Sequence, residues 1–313
     1  MRLFGTRAAG TGLTCVQLAG DRVNVARVET RGRARPEIVL CESFRREGDD
    51  ATTLRRLRRE LGLKRARCTT LLRPGEYRIL QVDAPNVPPE EAKSAVRWHL
   101  RDLVDFPVEQ AAVDAIFVPA AQGTGARAAQ MFAVAAPREA LAAAIRPFDE
   151  ADIPLEVVDI PELAQRNLAY WFEEEDRGLA LLALDAQGGL LTFTCSGELY
   201  LYRRFDVSAR SLLGAGPEQK RALYERVQLE LQRSLDHFDR LYRSVVISRV
   251  LVAPAPGAEE LRDFLAANLD LPVAELDLSR ALDFARVPEL HDPVRQGLGL
   301  QAIGAALREA GPQ

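Results

Sequence analysis

At 313 residues the chain exceeds one typical hydrophobic core, so two lobes are expected. Its 47% apolar and 27% charged content is that of a soluble globular protein and excludes disordered and collagen-like classes. The net charge of −4 is unevenly spread: residues 1–75 hold 17 Arg/Lys against 8 Asp/Glu, a balance of +9, which leaves −13 for the rest.

In chain order, residues 13–18 and 22–29 read as two strands joined at Gly20-Asp21. A basic helix follows near 51–61, where Leu54, Leu57 and Leu61 share a face and Arg55, Arg56, Arg58 and Arg59 take the other. Such a run is first of all a solvated helix face; contact with anionic lipid or an acidic partner is the alternative. No aromatic stacking platform or DNA-binding motif accompanies it, which excludes nucleic acid. Strands are expected at 67–73 and 78–83.

Residues 86–118 combine a helix start, a stop and a strand. Pro88, Pro89, Glu90 and Glu91 suit a first helical turn, since proline needs no donor there and acids favour the positive end of the dipole. Apolar residues recur at Ala92, Ala95, Val96, Leu100, Leu103 and Val104, and Phe106-Pro107 is expected to end the helix. Trp98 is expected to pack at least partly against neighbouring structure. Strands at 113–118 and 130–136 follow, turning at Gln122-Gly123-Thr124-Gly125. A helix over 137–151 and a strand over 155–160 lead into the second lobe.

The second lobe opens like the first, with strands at 179–184 and 190–195 around Gln187-Gly188-Gly189 and a third at 199–205. Val227, Leu231, Leu235, Phe238 and Tyr242 stripe a helix over 225–243. A strand at 248–253, a helix at 259–269, a short strand after Leu271-Pro272-Val273 and a last helix opening at Gly297 complete the chain.

Cys15, Cys41, Cys68 and Cys195 form no CxxC pair, so they read as reduced core thiols suited to the cytoplasm. His99, His237 and His291 are scattered, and no metal centre is expected. Met1-Arg2-Leu3-Phe4 meets glycine and arginine before any apolar run, so no signal peptide is expected. The most apolar tract, 178–202, contains Asp185, Gly188, Gly189, Ser196, Gly197 and Glu198 and reads as strand, turn, strand rather than a membrane span.

Four segments carry a family resemblance. The acidic helix start, Arg97-Trp98, Phe106-Pro107 and acidic Glu109 resemble the R-W-E then P-F-P signature of the PilM family, actin-like proteins of type IV pilus biogenesis, with the MshI (MSHA-type) branch nearest. EVVDIPELAQRNLAYW (156–171) resembles the family's crossing between lobes, a strand running into a long helix. LELQRSLDHFDRLY resembles its E-I-x-R-S-L-x-F-Y helix, and Gly297-Leu298-Gly299-Leu300 its A-L-G-L-A ending. The resemblance implies an α/β, actin-like ATPase (FtsA/PilM-type) two-lobe fold. The first lobe would span 1–157 with a small α+β subdomain inserted at about 76–136, the second lobe 158–289, and a C-terminal helix over 290–313 would return to the first lobe.

Chemistry can be tested against known signatures. A P-loop needs glycine before its lysine, but Lys64, Lys93 and Lys220 follow Leu63, Ala92 and Gln219. Gly123-Thr124-Gly125 lies between strands and reads as a hairpin turn, not a dinucleotide loop. The family grips phosphate and magnesium with two D-x-G hairpins, and this chain departs at both. Gln17 and Ala19 stand for the acid and glycine of the first, and a neutral amide supplies no charge to a hard cation. Asp185 keeps the second acid, but Gln187 takes the place of glycine, with Gly188 and Gly189 beside it. Ala253-Pro254-Ala255-Pro256-Gly257 replaces the family's glycine-rich adenosine turn, and its prolines remove backbone donors. Glu230 and Arg233 occupy helix positions that reach adenosine in related proteins; a polar face lining an empty cleft is the other reading. Asp114, Asp159 and Asp236 are single acids without a partner at motif spacing.

The expectation is therefore a non-enzymatic scaffold with a vestigial nucleotide cleft (Gln17, Ala19, Asp185, Gly188, Gly189, Glu230, Arg233) and no cofactor, ATP with magnesium included. The resemblance implies a cytoplasmic protein peripheral to the inner membrane. Its partner would be the N-terminal cytoplasmic tail of a PilN/MshJ-like membrane protein, with a pilus ATPase, platform components or self-association as further contacts. The alternatives are a working actin-like ATPase or kinase, or the assembly component of a type II secretion system.

Overall fold

The computed structural model describes residues 12–30, 35–119 and 129–310; the Met1-Arg2-Leu3-Phe4 opening and the Gln122-Gly123-Thr124-Gly125 turn lie outside these. The chain opens with three antiparallel strands, β1 (Thr14–Ala19), β2 (Arg22–Glu29) and β3 (Glu37–Arg45). Helix α1 (Asp50–Glu60) starts at Asp49, whose Oδ1 accepts from Thr52 N at 2.7 Å. Strand β4 (Cys68–Leu71) then pairs with β1 in parallel.

A separate unit is inserted here: β5 (Arg78–Asp83), α2 (Pro89–His99), β6 (Ala111–Val118) and β7 (Gln130–Pro137), its sheet ordered β5-β7-β6. Helix α3 (Arg138–Glu150) leads back, and β8 (Leu155–Asp159) completes the first sheet in the order β3-β2-β1-β4-β8. Helix α4 (Pro161–Ala169) crosses to the second lobe. There β9 (Gly178–Leu184), β10 (Gly189–Cys195) and β11 (Glu198–Phe205) again run antiparallel. After α5 (Ala209–Gly214) and α6 (Pro217–Leu241), β12 (Ile247–Val252) pairs with β9 in parallel, and α7 (Ala258–Asn268) precedes β13 (Val273–Glu275). The order β11-β10-β9-β12-β13 repeats that of the first sheet. Helix α8 (Pro293–Ala306) ends the architecture.

Strand alternation sorts the first sheet's two faces. Val16, Val23 and Val25 pack with Leu54, Leu57 and Phe148 of α1 and α3, while Cys15, Ala26 and Cys41 face α8. Helices α4 and α8 lie between the lobes at close range. A Cβ on Gly304 would sit 2.2 Å from Ala164 O, and one on Gly299 would sit 2.4 Å from Cys41 Sγ, so only glycine lets α8 approach both. Asn167 Nδ2 donates to Gly304 O at 3.1 Å across the same contact.

Several elements differ from the sequence expectation. Helix α2 stops at His99 rather than at Phe106-Pro107: Leu100 N turns to both Val96 O and Arg97 O, and Val104 closes a separate turn on Leu100 O. Leu103 is therefore exposed although it keeps the apolar rhythm. On β6, where alternation sets Val113, Ala115 and Phe117 against Asp114 and Ile116, it is Asp114 that is buried and Phe117 that faces out. The long helix expected within 156–171 is the nine-residue α4 followed by a 3-10 turn. Helix α6 begins eight residues before 225, at Pro217, and α8 begins at Pro293, with Gly297 inside it.

Candidate functional site

The hairpin expected to correspond to the family's first phosphate loop is β1–β2, turning at Gly20-Asp21. Gln17 and Ala19 are half-buried near its tip. Gln17 belongs to a polar ladder across three strands: Asn24 Nδ2 donates to Gln17 Oε1 at 3.5 Å, Ser43 Oγ to Asn24 Oδ1 at 2.6 Å, and Arg22 Nε to Ser43 Oγ at 2.6 Å. The amide is thus a member of a side-chain network on the face that α8 covers lower down.

The second hairpin is β9–β10. The Asp185 carboxylate folds over its own turn, where Oδ1 accepts from Gln187 N at 2.7 Å and Gly188 N at 2.9 Å. The glycines here answer to packing. A Cβ on Gly188 would lie 2.8 Å from Phe205 O, and one on Gly189 would lie 2.2 Å from the Phe205 ring. The adenosine-turn segment 253–257 packs on α8, where Gly297 admits Pro254 O. Glu230 and Arg233 pair with each other on α6 at 3.6 Å, Arg233 exposed and Glu230 half-buried. Two grooves of the molecule are lined by none of the seven expected cleft residues. One, enclosing ≈ 190 Å³, lies between the first sheet and α8; the other, of ≈ 270 Å³, follows 252–260 and the start of α8.

Two of the three single acids have a charged partner. Asp159 is fully buried, with Arg308 Nη1 at 2.5 Å from Oδ2 and Ile160 N donating to Oδ1 at 2.8 Å. Asp114 pairs with Lys93 Nζ at 2.5 Å; burial raises its pKa and the lysine opposes that. The Asp236 carbonyl accepts from Arg240. Among the described residues no group of three or more His, Cys, Asp or Glu could hold a metal ion, and no helix is long and apolar enough to cross a membrane. The basic run is largely tied down: Arg55 donates to Glu150 O, Arg56 to Glu47 Oε1 and Arg58 to Asp152 O, leaving Arg59 exposed.

The inserted subdomain has two apolar faces. Met131, Ala133 and Ala135 of β7 receive Ala92, Val96 and Leu100 of α2. Ile79, Phe132 and Val134 instead join the second lobe's core with Phe193, Tyr200 and Phe238. Tyr202 OH donates to Ile79 O at 2.6 Å, and Gln81 Nε2 to Tyr242 OH at 2.9 Å. At the root of the subdomain, Tyr77 OH donates to Glu162 Oε2 at 2.5 Å, and Arg204 bonds Glu162 Oε1 at 2.7 Å and Tyr77 OH at 2.9 Å. Burial and the Glu162 carboxylate push the Tyr77 phenol well up, so it remains a neutral donor. No motif spacing marks this junction in the sequence. Trp98 does not pack inward. It is 66% exposed, opposite the Ala92–Val96 stripe, with the Arg101 guanidinium 5.8 Å from its ring centroid.

Two like-ordered sheets around a central helix pair, each led by a β-hairpin, define the actin-like ATPase fold, and solved structures share it. The PilM-PilN type IV pilus biogenesis complex superposes with a TM-score of 0.70 at 18% identity, over 94% of this chain and 99% of that one. A Bacteroides thetaiotaomicron protein with an actin-like ATPase fold and unknown function gives 0.50 at 8% identity, over 90% and 95%. The cytoplasmic domain of EpsL, an inner-membrane component of the Vibrio cholerae type II secretion system, gives 0.48 at 12% identity, over 94% of each. No protein-family model matches the sequence, and no curated protein matches it.

Proposed function

We propose that this protein is a non-enzymatic assembly component of a type IV pilus inner-membrane platform, of the PilM type and nearest its MshI branch. It docks on the short cytoplasmic tail of a PilN/MshJ-like membrane protein. The observation that carries this reading is the fold correspondence with the PilM of a PilM-PilN complex across nearly the whole chain, inserted subdomain included. The state of the hairpins supports a scaffold over an ATPase. Gln17 brings no charge, the Asp185 carboxylate is engaged by its own turn, and 253–257 offers two prolines where donors are needed, so these residues do not fit magnesium-ATP.

Trp98 marks the docking face. An aromatic this exposed on a well-packed subdomain suits a hot spot for an extended or lightly structured peptide. Calorimetric titration of the full chain with a peptide copying the partner's tail tests the reading. Binding that Trp98→Ala weakens at least about tenfold, the size of a modest hot spot, is expected. Absence of binding, or binding indifferent to Trp98, would overturn the docking assignment. A parallel titration with magnesium-ATP should show no metal-dependent affinity; a tight, metal-dependent isotherm with phosphate release would overturn the non-enzymatic part.

A further inference from the structure

The groove between the first sheet and α8 carries a charge pattern that folding alone does not explain. On the sheet, Arg22 and Asn24 of β2 and Cys41 and Ser43 of β3 line it; on the helix, Arg295, Leu298 and Gly299 do. Arg22 is held rigidly: its Nε donates to Ser43 Oγ at 2.6 Å and its Nη2 to Ser43 O at 2.9 Å. The Ser43 hydroxyl passes on to Asn24, and Asn24 to Gln17. A guanidinium fixed by two bonds retains Nη1 for a further acceptor.

The register of the two strands then places Arg45 directly opposite Arg22. Like charges facing each other across an antiparallel pair are destabilising. Arg295 approaches the same groove from α8. None of Arg22, Arg45 and Arg295 has a carboxylate partner among the described residues. Glu42 also lines the groove and is the one carboxylate there; it lies between Leu40 and Phe44, which pack on the α1 side, so strand alternation directs its side chain away from Cys41, Ser43 and Arg45. The Cys41 thiol brings no charge, because burial pushes its pKa up to about 12.

We propose that this corner is a metal-free binding site for a small oxyanion, a phosphate or a dicarboxylate, held by Arg22, Arg45 and Arg295. Guanidinium groups bind both ligands by the same charge-assisted, forked hydrogen bonds. The anion supplies a counter-charge for Arg22 and Arg295, which line the groove, and for Arg45, which the strand register sets opposite Arg22, and the Ser43–Asn24 relay pre-orients Arg22 for it. A ligand there is sensed at Gln17, at the tip of the first hairpin, through the same relay. The site is independent of what docks on the inserted subdomain.

The test is calorimetric titration and thermal melting of the full chain in EDTA with sodium phosphate, with sodium succinate, and with sodium chloride matched in ionic strength. Phosphate, succinate or both should bind and raise the melting temperature above the chloride control, and the stronger of the two identifies the source. Arg295→Ala and Arg45→Ala, whose side chains make no hydrogen bond or ion pair with the described residues, should keep the fold and each weaken binding about tenfold, the weight of one charge-assisted hydrogen bond. Stabilisation equal to that of chloride overturns the proposal, as does binding unchanged in both variants or binding that EDTA abolishes.

Discussion

Arg204 Nε lies 2.7 Å from Glu162 Oε1, and this contact ties β11 of the second lobe to the crossing helix α4. Tyr77, at the root of the inserted subdomain, closes the triangle with both residues. Three parts of the molecule therefore meet at one carboxylate with no solvent exposure. The subdomain is fastened to both lobes and does not hang from the first alone.

Arg204→Ala should destabilise the protein by about 3–5 kcal/mol, the usual result of stripping one partner from a buried charge. Tyr77 still donates to Glu162 in that variant, so the lower end is expected. Arg204→Lys should recover part of the loss, since an ammonium keeps the charge but cannot span Glu162 and Tyr77 as a planar fork does. Denaturant midpoints measure both; an unchanged midpoint for Arg204→Ala would show that the triangle contributes nothing.

Trp98→Ala should leave stability within about 0.5 kcal/mol of the parent, as surface substitutions usually do. The exposed ring touches chiefly Arg101, which also has Glu109 Oε1 at 3.0 Å. Thermal melting decides it. A large drop would mean that the indole covers core atoms after all, and would remove it as a docking hot spot.

Much of this architecture is legible from periodicity. The α6 stripe and the paired openings of the two lobes follow from 3.6- and 2-residue rhythms, whereas the insert between β4 and β8 is legible only through the family resemblance. Even the exposure of Trp98 is legible in phase: two residues past buried Val96, it sits about 200° around the helix. Its size argues the other way, and phase wins. The end of α2 is not legible, because Leu103 and Val104 sustain the rhythm after the backbone has left the helix at Leu100. Strand β3 has no counterpart in the sequence reading, since an edge strand reading Glu37–Arg45 mixes acid, cysteine and arginine among its apolar positions. The candidate site was least legible of all. Asp185 reads as a retained acid, but its Oδ1 is taken up by the amides of Gln187 and Gly188, a contact that no motif encodes. The arginine corner arises from the register of Arg22 with Arg45 and the approach of α8, neither of which sequence spacing encodes.

Asp114 gives the protein a measurable pH response. Its folded pKa is raised, chiefly by burial, so the folded state holds this proton more tightly than the unfolded chain does. The contribution to stability is full below the ordinary carboxyl pKa of about 4 and is lost as pH rises through the raised folded value. Asp114→Asn mimics the protonated form. The variant should match the parent in acid and become the more stable of the two as pH rises towards neutrality. Denaturant midpoints of both proteins across that window provide the check. A variant that loses stability relative to the parent as pH rises would show that the Lys93 pair outweighs the burial.

Phe132 lies at the boundary between the inserted subdomain and the second lobe. Its ring meets Tyr202 edge-on with centroids 5.9 Å apart, and its side chain is almost fully buried in a cluster shared with Phe193 and Phe238. Truncation to alanine should cost about 3–5 kcal/mol, the range for a buried phenylalanine. Where the loss appears is the sharper question. If the subdomain were an independent appendage, hydrogen exchange would rise only in β5, β6 and β7. Because Phe132 stacks into the second lobe and Tyr202 bonds Ile79 O, exchange should also rise in β11 and at the end of α6, where Tyr242 holds Gln81. By the same reasoning, deleting 76–136 would strip the second lobe of part of its core instead of cleanly removing a module. Point substitutions on the exposed α2 face are therefore the proper probes of docking. Protection lost in the subdomain alone would show that the two units are only in contact, and that what binds one is not felt by the other.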